Sequence, residues 1–304
     1  MSPSIYEWYL VTDVLHCLME AIPSAELFPT PTIYRDHKDI PFAPIPSAED
    51  FPLPTVRLYA TSVASGHPID ASTFAAWKME EAEGGSGCAD VSGNTRNLTL
   101  VAGTFAPTDG IIFDKGRSRY FDGLTRYEGA GDSNWVAFWK GVWTAELWVM
   151  IGDNNTASVD LLSYQADNNL VTLSLVYTAG DYYGKVLWQH GAGVSSSFTT
   201  TKPIIKADLA RDRYHLSFRK YEVSGSYYVN IFCNGQVKES SGVLVNADGA
   251  GTGTFSLGGV THPYFGRIDD VRLSSIPRTD EEIYASYARG LGGAAITFVT
   301  VEGI

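Results

Sequence analysis

The chain has 304 residues, enough for one or two domains with a sizeable core and no covalent staples. Only 18% of residues are charged, against 44% hydrophobic and 12% aromatic, and there are 30 glycines, a composition that suits turn-rich β-sheets over helical bundles. A formal net charge of −12 with no run of Lys or Arg excludes nucleic acid and anionic membrane as general partners.

The first segment, residues 1–22, is predicted as a helix. Ser2-Pro3 offers a cap followed by Pro at the first helical position, and Ile5, Trp8, Tyr9, Thr12, Leu15, Met19 and Ile22 follow helical spacing up to Pro23. The same stretch carries Glu7, Asp13, His16 and Glu20, too many polar groups for a membrane span. The first basic residue is Arg35, so the positive start of a secretory leader is lacking. Such a helix must bury its stripe against its own sandwich or against another chain. Residues 23–73 read as a proline-rich extended arm. Pro23, Pro29, Pro31, Pro41, Pro44, Pro46, Pro52 and Pro54 disfavour helix and central strand, yet Phe28, Ile33, Tyr34, Phe42, Ile45, Phe51 and Leu53 lie among them. That mixture describes an arm laid along a surface rather than a free linker. Ile5, Trp8, Leu15, Met19, Phe28, Tyr34 and Phe42 are the candidate anchoring residues, and Thr55–Ala60 is a short strand candidate.

From Phe74 the strand signals recur at short intervals, so residues 74–304 read as one antiparallel β-sandwich of jelly-roll type, a mainly β fold. Thr144–Ile151 carries Ala145, Leu147, Val149 and Ile151 on one face. Val159–Tyr164, Val171–Tyr177, Val186–Gln189 and Tyr214–Arg219 follow, and Tyr227–Cys233 ends in the hairpin turn Asn234-Gly235. The Arg211, Arg213, Arg219, Lys220 cluster, diluted by Asp208 and Asp212, reads as a solvated sheet face. One short helix is predicted late: Thr279 and Glu282 form a capping box, Ile283, Tyr284 and Tyr287 a stripe, and Gly290 a stop. The tail Ala294–Val301 alternates like one more strand. Cys17, Cys88 and Cys233 are odd in number and lack metal-ligand spacing. Cys233 reads as a buried free thiol, with a Cys17–Cys88 or Cys88–Cys233 bridge as the alternative.

Four stretches stand in a telling order: Phe74-Ala75-Ala76-Trp77 with the turn Asp90-Val91-Ser92-Gly93-Asn94; Tyr120-Phe121-Asp122-Gly123; Trp143 to Val149; and Phe265 to Leu273 with Asp269-Asp270, followed by the Thr279 cap. Together, over residues 74–290, they resemble the concanavalin A-like (laminin G-like) superfamily of jelly-roll modules. The resemblance implies a sandwich with Trp77 and Trp148 between its sheets. It also makes calcium a candidate cofactor, held by loop oxygens. Asp153 and Asn155, or Asp167 and Asn169, are the candidate ligands, although both runs are also ordinary turn sequences. Asp269 or Asp270, between apolar Ile268 and Val271, is expected to accept hydrogen bonds from a loop across the strand end.

Catalysis is not expected. No strand offers the alternating carboxylates, about 5 Å apart, of a jelly-roll glycosidase, and Asp269 and Asp270 fall on opposite faces of an extended strand. The nucleophile motif GxSxG is absent, and His16, His37, His67, His190, His215 and His262 are scattered. Trp135, Trp139, Tyr182, Tyr183 and Trp188 are dense enough to form an exposed platform for sugar rings, or else core or a subunit interface. The preferred reading is a non-enzymatic structural and adhesion protein. Its sandwich faces outward, and residues 1–56 anchor it in a particle or homo-oligomer, in the style of the tail, fibre or head-surface proteins of a phage virion. Other virion proteins and a cell-surface glycan are its expected partners. The alternatives are an extracellular glycan-binding module acting alone and, less favoured, a glycosidase of the same fold.

Overall fold

A computed structural model describes residues 66–82, 85–112, 116–152, 157–166, 169–190, 194–206, 212–244, 252–259 and 261–291, and the backbone of four short strands between residues 8 and 41. The chain divides into two compact units, Met1–Thr61 with Ile296–Ile304, and Ser62–Ala295. In the first, Trp8–Val11 pairs antiparallel with Val14–Cys17, and Thr32–Arg35 with Lys38–Pro41. The helix expected over residues 1–22 is therefore replaced across Trp8–Cys17 by a hairpin. Its apolar spacing is helical, but Trp8, Tyr9, Val11 and Val14 are aromatic or β-branched, types that lose rotamer freedom in a helix and pack well on a pleated surface. The proline-rich arm also holds a hairpin, with Pro41 at the end of its strand, where a missing amide donor disturbs least. Trp8, Leu15 and Tyr34 lie in these strands, whereas Ile5, Met19, Phe28, Phe42, Thr55–Ala60 and Ala294–Val301 lie outside the described residues.

The Ser62–Ala295 unit is an antiparallel sandwich, mainly β as expected. One sheet runs Gln236–Ser240, Ser226–Cys233, Tyr214–Val223, Trp143–Ile151, Phe265–Ser274, Arg117–Asp122, Pro107–Asp109, with Thr73–Trp77 also paired to Phe265–Ser274. The other runs Val194–Thr199, Asp181–His190, Asn169–Thr178, Val159–Ala166, Thr254–Leu257, Arg126–Ala130, Leu98–Ala102, Gly87–Cys88, with Ile205–Lys206 on Asp181–His190. Period-two alternation turns Ala145, Leu147, Val149, Leu216, Phe218, Val271 and Leu273 of the first sheet toward Leu162, Leu173, Leu175, Val186 and Leu257 of the second. Each fully buried side chain of this kind contributes about 1.5–3 kcal/mol. Cys88 and Cys233 are buried and free, so no bridge joins them.

The motifs behind the resemblance prove to be clamps. Asp90 accepts hydrogen bonds from the amides of Ala76, Ser92 and Arg96, and Asn94 donates to the carbonyls of Thr73 and Phe74. Asp122 accepts from the amides of Leu124 and Thr125 and from the Thr125 hydroxyl. Trp77 lies in the core between the sheets, but Trp148 does not. Trp148 points to the outer face, stacked 5.8 Å from Tyr287 and packed with Ile111 and Ile112.

Two helices stand among the described residues. Helix α1 (Ser133–Lys140) was not anticipated; helix α2 (Asp280–Gly290) was, and both halves of its Thr279/Glu282 capping box are present. The signal for α1 was in the sequence: Asp132 caps it, and Trp135, Phe138 and Trp139 follow at i, i+3, i+4.

Candidate binding groove beside helix α1

Helix α1 exists because its one apolar face fits one end of the sandwich. Trp135 stacks 4.7 Å from Phe255 and 5.9 Å from Tyr164, Phe138 stacks 4.3 Å from Phe74, and Trp139 meets Trp143 edge-on at 5.1 Å. At its other end Lys220 is buried and donates to the carbonyls of Trp139 and Lys140, satisfying orphan acceptors of the last turn. Its ammonium also lies 5.0 Å from the Trp188 ring and 4.5 Å from that of Tyr227. Burial pushes Lys220 down to about 7. Lys220 is thus no part of a solvated basic face.

The outward side of α1 borders an open groove of about 510 Å³, lined by Phe74, Arg96, Asn134, Phe138, Val142 and Ser275 together with Ala137 and Gly141. The Arg96 guanidinium covers the Phe74 ring at 3.7 Å and donates from Nη1 to the Phe74 carbonyl, while its buried Nε has no hydrogen-bond partner among the described residues. Asn134 is exposed and bonded to Asp132, the α1 cap. The arrangement offers an apolar floor with an amide, a hydroxyl and a guanidinium along it, the mixture that fixes a small polar ligand.

The residues singled out from sequence fall elsewhere. Trp135, Trp139, Tyr182 and Trp188 are core rings, so they cannot form an exposed platform; Tyr183 alone is partly exposed. Turn chemistry and aromatic density were visible in the sequence, but which rings the helix would draw inward was not. Asp153, Asn155 and Asp167 lie outside the described residues, and Asn169 enters only as a strand backbone.

A second constellation lies under α2, on the outer face of the sheet. Between Glu146 and Trp148 the pairing with Phe265–Ser274 shifts register, and Asp270 takes a left-handed φ of +40°. This bulge turns Asp269 and Asp270 to the same side, between core residues Ile268 and Val271, rather than to opposite faces. Asp269 accepts from the amides of Ile111 and Ile112 at 2.9 and 3.4 Å, the cross-strand clamp expected of it. Burial, and then the Asp270 charge, push Asp269 up to about 8. Asp270 accepts from the His67 amide and from Lys78 at 2.6 Å. Gly66 is required beside it: φ is +99° and a Cβ would lie 2.5 Å from the Asp270 carboxylate. Next to these, Arg272 pairs with Glu146 and donates to Ser286 of α2 at 2.9 Å. His67 and His215, far apart in sequence, meet with their Nε2 atoms 2.9 Å apart. Burial drives His67 well down and His215 to about 3, so both imidazoles are neutral.

Residues 131–284 match the family described as the concanavalin A-like lectin/glucanases superfamily. No curated protein matches the chain in sequence. Among solved structures, domain 4 of a GH43 extracellular arabinanase from Geobacillus stearothermophilus, in complex with arabinotriose, is similar at 17% identity and a TM-score of 0.53, over 74% of this chain and 100% of that one. The receptor-binding domain of botulinum neurotoxin C/D mosaic serotype is similar at 13% identity and a TM-score of 0.53, over 71% of this chain and 51% of that one. The binding domain of botulinum neurotoxin DC in complex with SialylT follows at 10% identity and a TM-score of 0.51, over 72% and 52%. This chain therefore spans about half the length of the toxin domains it matches. At these identities the likenesses concern the fold. With its clamped turns, its two stacked sheets and a match across half its length, the chain belongs to the concanavalin A-like lectin/glucanases superfamily.

Proposed function

We propose that the protein is a non-catalytic adhesion component whose sandwich binds a cell-surface glycan in the groove beside α1. The observation that carries this reading is the groove's lining: Ala137 and Val142 for the apolar face of a sugar ring, with Arg96, Asn134 and Ser275 for its hydroxyls. The saccharides named with the arabinanase domain and one toxin domain lend support from the same fold. Against hydrolysis, the adjacent carboxylates Asp269 and Asp270 are buried and engaged by backbone amides and Lys78, so they cannot flank a glycosidic bond. The test is glycan-array binding by the full chain. Arg96→Ala with Asn134→Ala should weaken binding at least tenfold with little change in thermal midpoint. Undiminished binding by that double variant would remove the groove from the reading.

The finer proposal concerns assembly. Residues 1–61 fall, with Ile296–Ile304, in a compact unit separate from the sandwich, which supports a role as the attachment of the sandwich to a larger particle, a phage virion in the reading from sequence, with the chain as a homo-oligomer. Light scattering of the full chain and of a chain beginning at Ser62 tests it. A smaller assembly on truncation is expected, and an unchanged one refutes the attachment role.

A further inference from the structure

The layer under α2 brings together two imidazoles that share one hydrogen bond and a carboxylate oxygen that has none among the described residues. His67 and His215 direct Nε2 at each other across 2.9 Å, and Glu146 Oε1 lies 3.7 Å from the same His215 atom. The three ligand atoms all fall within 4.8 Å of one another, and the three side chains are 0–2% exposed. Only one of two facing Nε2 atoms can carry a proton, and Glu146 Oε1 has no donor among the described residues. A carboxylate oxygen buried without a donor is costly.

The geometry points to a divalent transition-metal site held by His67 Nε2, His215 Nε2 and Glu146 Oε1. Ions of the zinc type bind imidazole nitrogen and carboxylate oxygen at about 2.0–2.2 Å, which brings neighbouring ligands to roughly 3.3 Å in a tetrahedral set. The observed 2.9 and 3.7 Å separations straddle that value, and the third, between His67 and Glu146, lies within 4.8 Å, so closing the set on an ion takes side-chain shifts of up to about an ångström. The surroundings are those of a metal-bound histidine. Asp270 Oδ2 lies 3.2 Å from His67 Nδ1 without a hydrogen bond to it, and its charge favours a proton on Nδ1, which leaves Nε2 free to ligate. Arg272 holds Glu146 through Oε2 alone, which orients Oε1 toward the histidines. Trp148 packs 5.3 Å from the His215 ring. Imidazole in the set selects zinc, cobalt, nickel or copper over calcium, which takes oxygen ligands. Three protein ligands leave the fourth tetrahedral position to a water molecule, and the ion would join the segment containing His67 to two central strands. The nearby cations Arg272 and Lys78 oppose a divalent charge, so binding is weaker than in an all-anionic site.

The experiment is expression of the full, untagged chain in cobalt-supplemented medium, with metal counted by mass spectrometry and visible absorption recorded. The expected result is a tetrahedral Co²⁺ spectrum and at least one equivalent per chain, of which one equivalent and the bands are lost in His67→Gln and in Glu146→Gln. Zinc at 100 times its Kd should raise the thermal midpoint of the wild type by about 5–10 °C. Circular dichroism checks that the variants are folded; if neither folds, the wild-type metal count and the chelator-induced fall in midpoint decide. Natively folded wild type without metal, or bands retained in both folded variants, overturns the site.

Discussion

Helix α1 drops Trp135, Phe138 and Trp139 into an aromatic core, whereas α2 lays Ser286 and Gly290 over a layer of buried charges built on Glu146 and Arg272. Both helices are capped and both bury one face. The first is held by dispersion and area, which tolerate small shifts; the second adds to Ile283 and the Tyr287–Trp148 stack a hydroxyl contact, Ser286 with Arg272, to a buried ion pair whose members depend on each other. Gly290 shows how tightly α2 sits: a Cβ there would come 2.2 Å from the Trp148 ring. The difference teaches that one sandwich can seat its helices by unrelated means, and that the two ends should fail differently.

Removing charge should separate them most. Arg272→Met leaves the buried Glu146 with only the more distant Arg278, 3.8 Å away, and should cost about 3 kcal/mol in urea unfolding, while adding Glu146→Leu should restore most of it. A double variant as unstable as the single one would show that the layer acts by shape alone. Trp135→Ala at the other end should cost a similar amount, about 3–5 kcal/mol, with no polar change able to restore it. The next effect depends on pH. Lys220 is depressed to about 7 in the folded chain and sits near 10.4 when unfolded, so between pH 7 and 9 the unfolded state holds more protons. Stability contributed by this group therefore rises with pH across that window. The stability difference between wild type and Lys220→Met should grow by on the order of 1 kcal/mol per pH unit at most. A flat difference would mean the ammonium keeps its proton. Smallest of all, Thr279→Ala should cost about 1 kcal/mol through loss of the α2 cap, read as a modest fall in thermal midpoint.

The sandwich was legible because period-two alternation leaves little freedom: Ala145, Leu147, Val149 and Ile151 could share a face only in a strand, and they do. The α2 capping box was legible because it is local. What escaped was set by distant partners. Trp135 and Trp139 could be read as platform, core or interface until a helix turned them inward, and Trp148 read as core until α2 covered the opposite face. The hairpin at Trp8–Cys17 shows the same limit, since its apolar spacing suited a helix while its β-branched and aromatic residues suited a strand. The groove lining comes from four separate stretches of chain, and the meeting of His67 with His215 from strands and a lead-in segment brought together only by the sheet. Neither leaves a pattern in any short window of sequence.

The bulge at Asp270 has a further consequence. Because Asp269 opposes Trp148 and Arg272 opposes Glu146, two residues stand on one strand where Leu147 stands alone on the other. Excising Asp270 would leave Asp269, Val271 and Arg272 facing as they do now. The sheet thus carries a detachable spare position that grips Lys78 and both the backbone and the ring of His67. Shortening the chain by that single residue would loosen the lead-in segment and leave the ladder continuous.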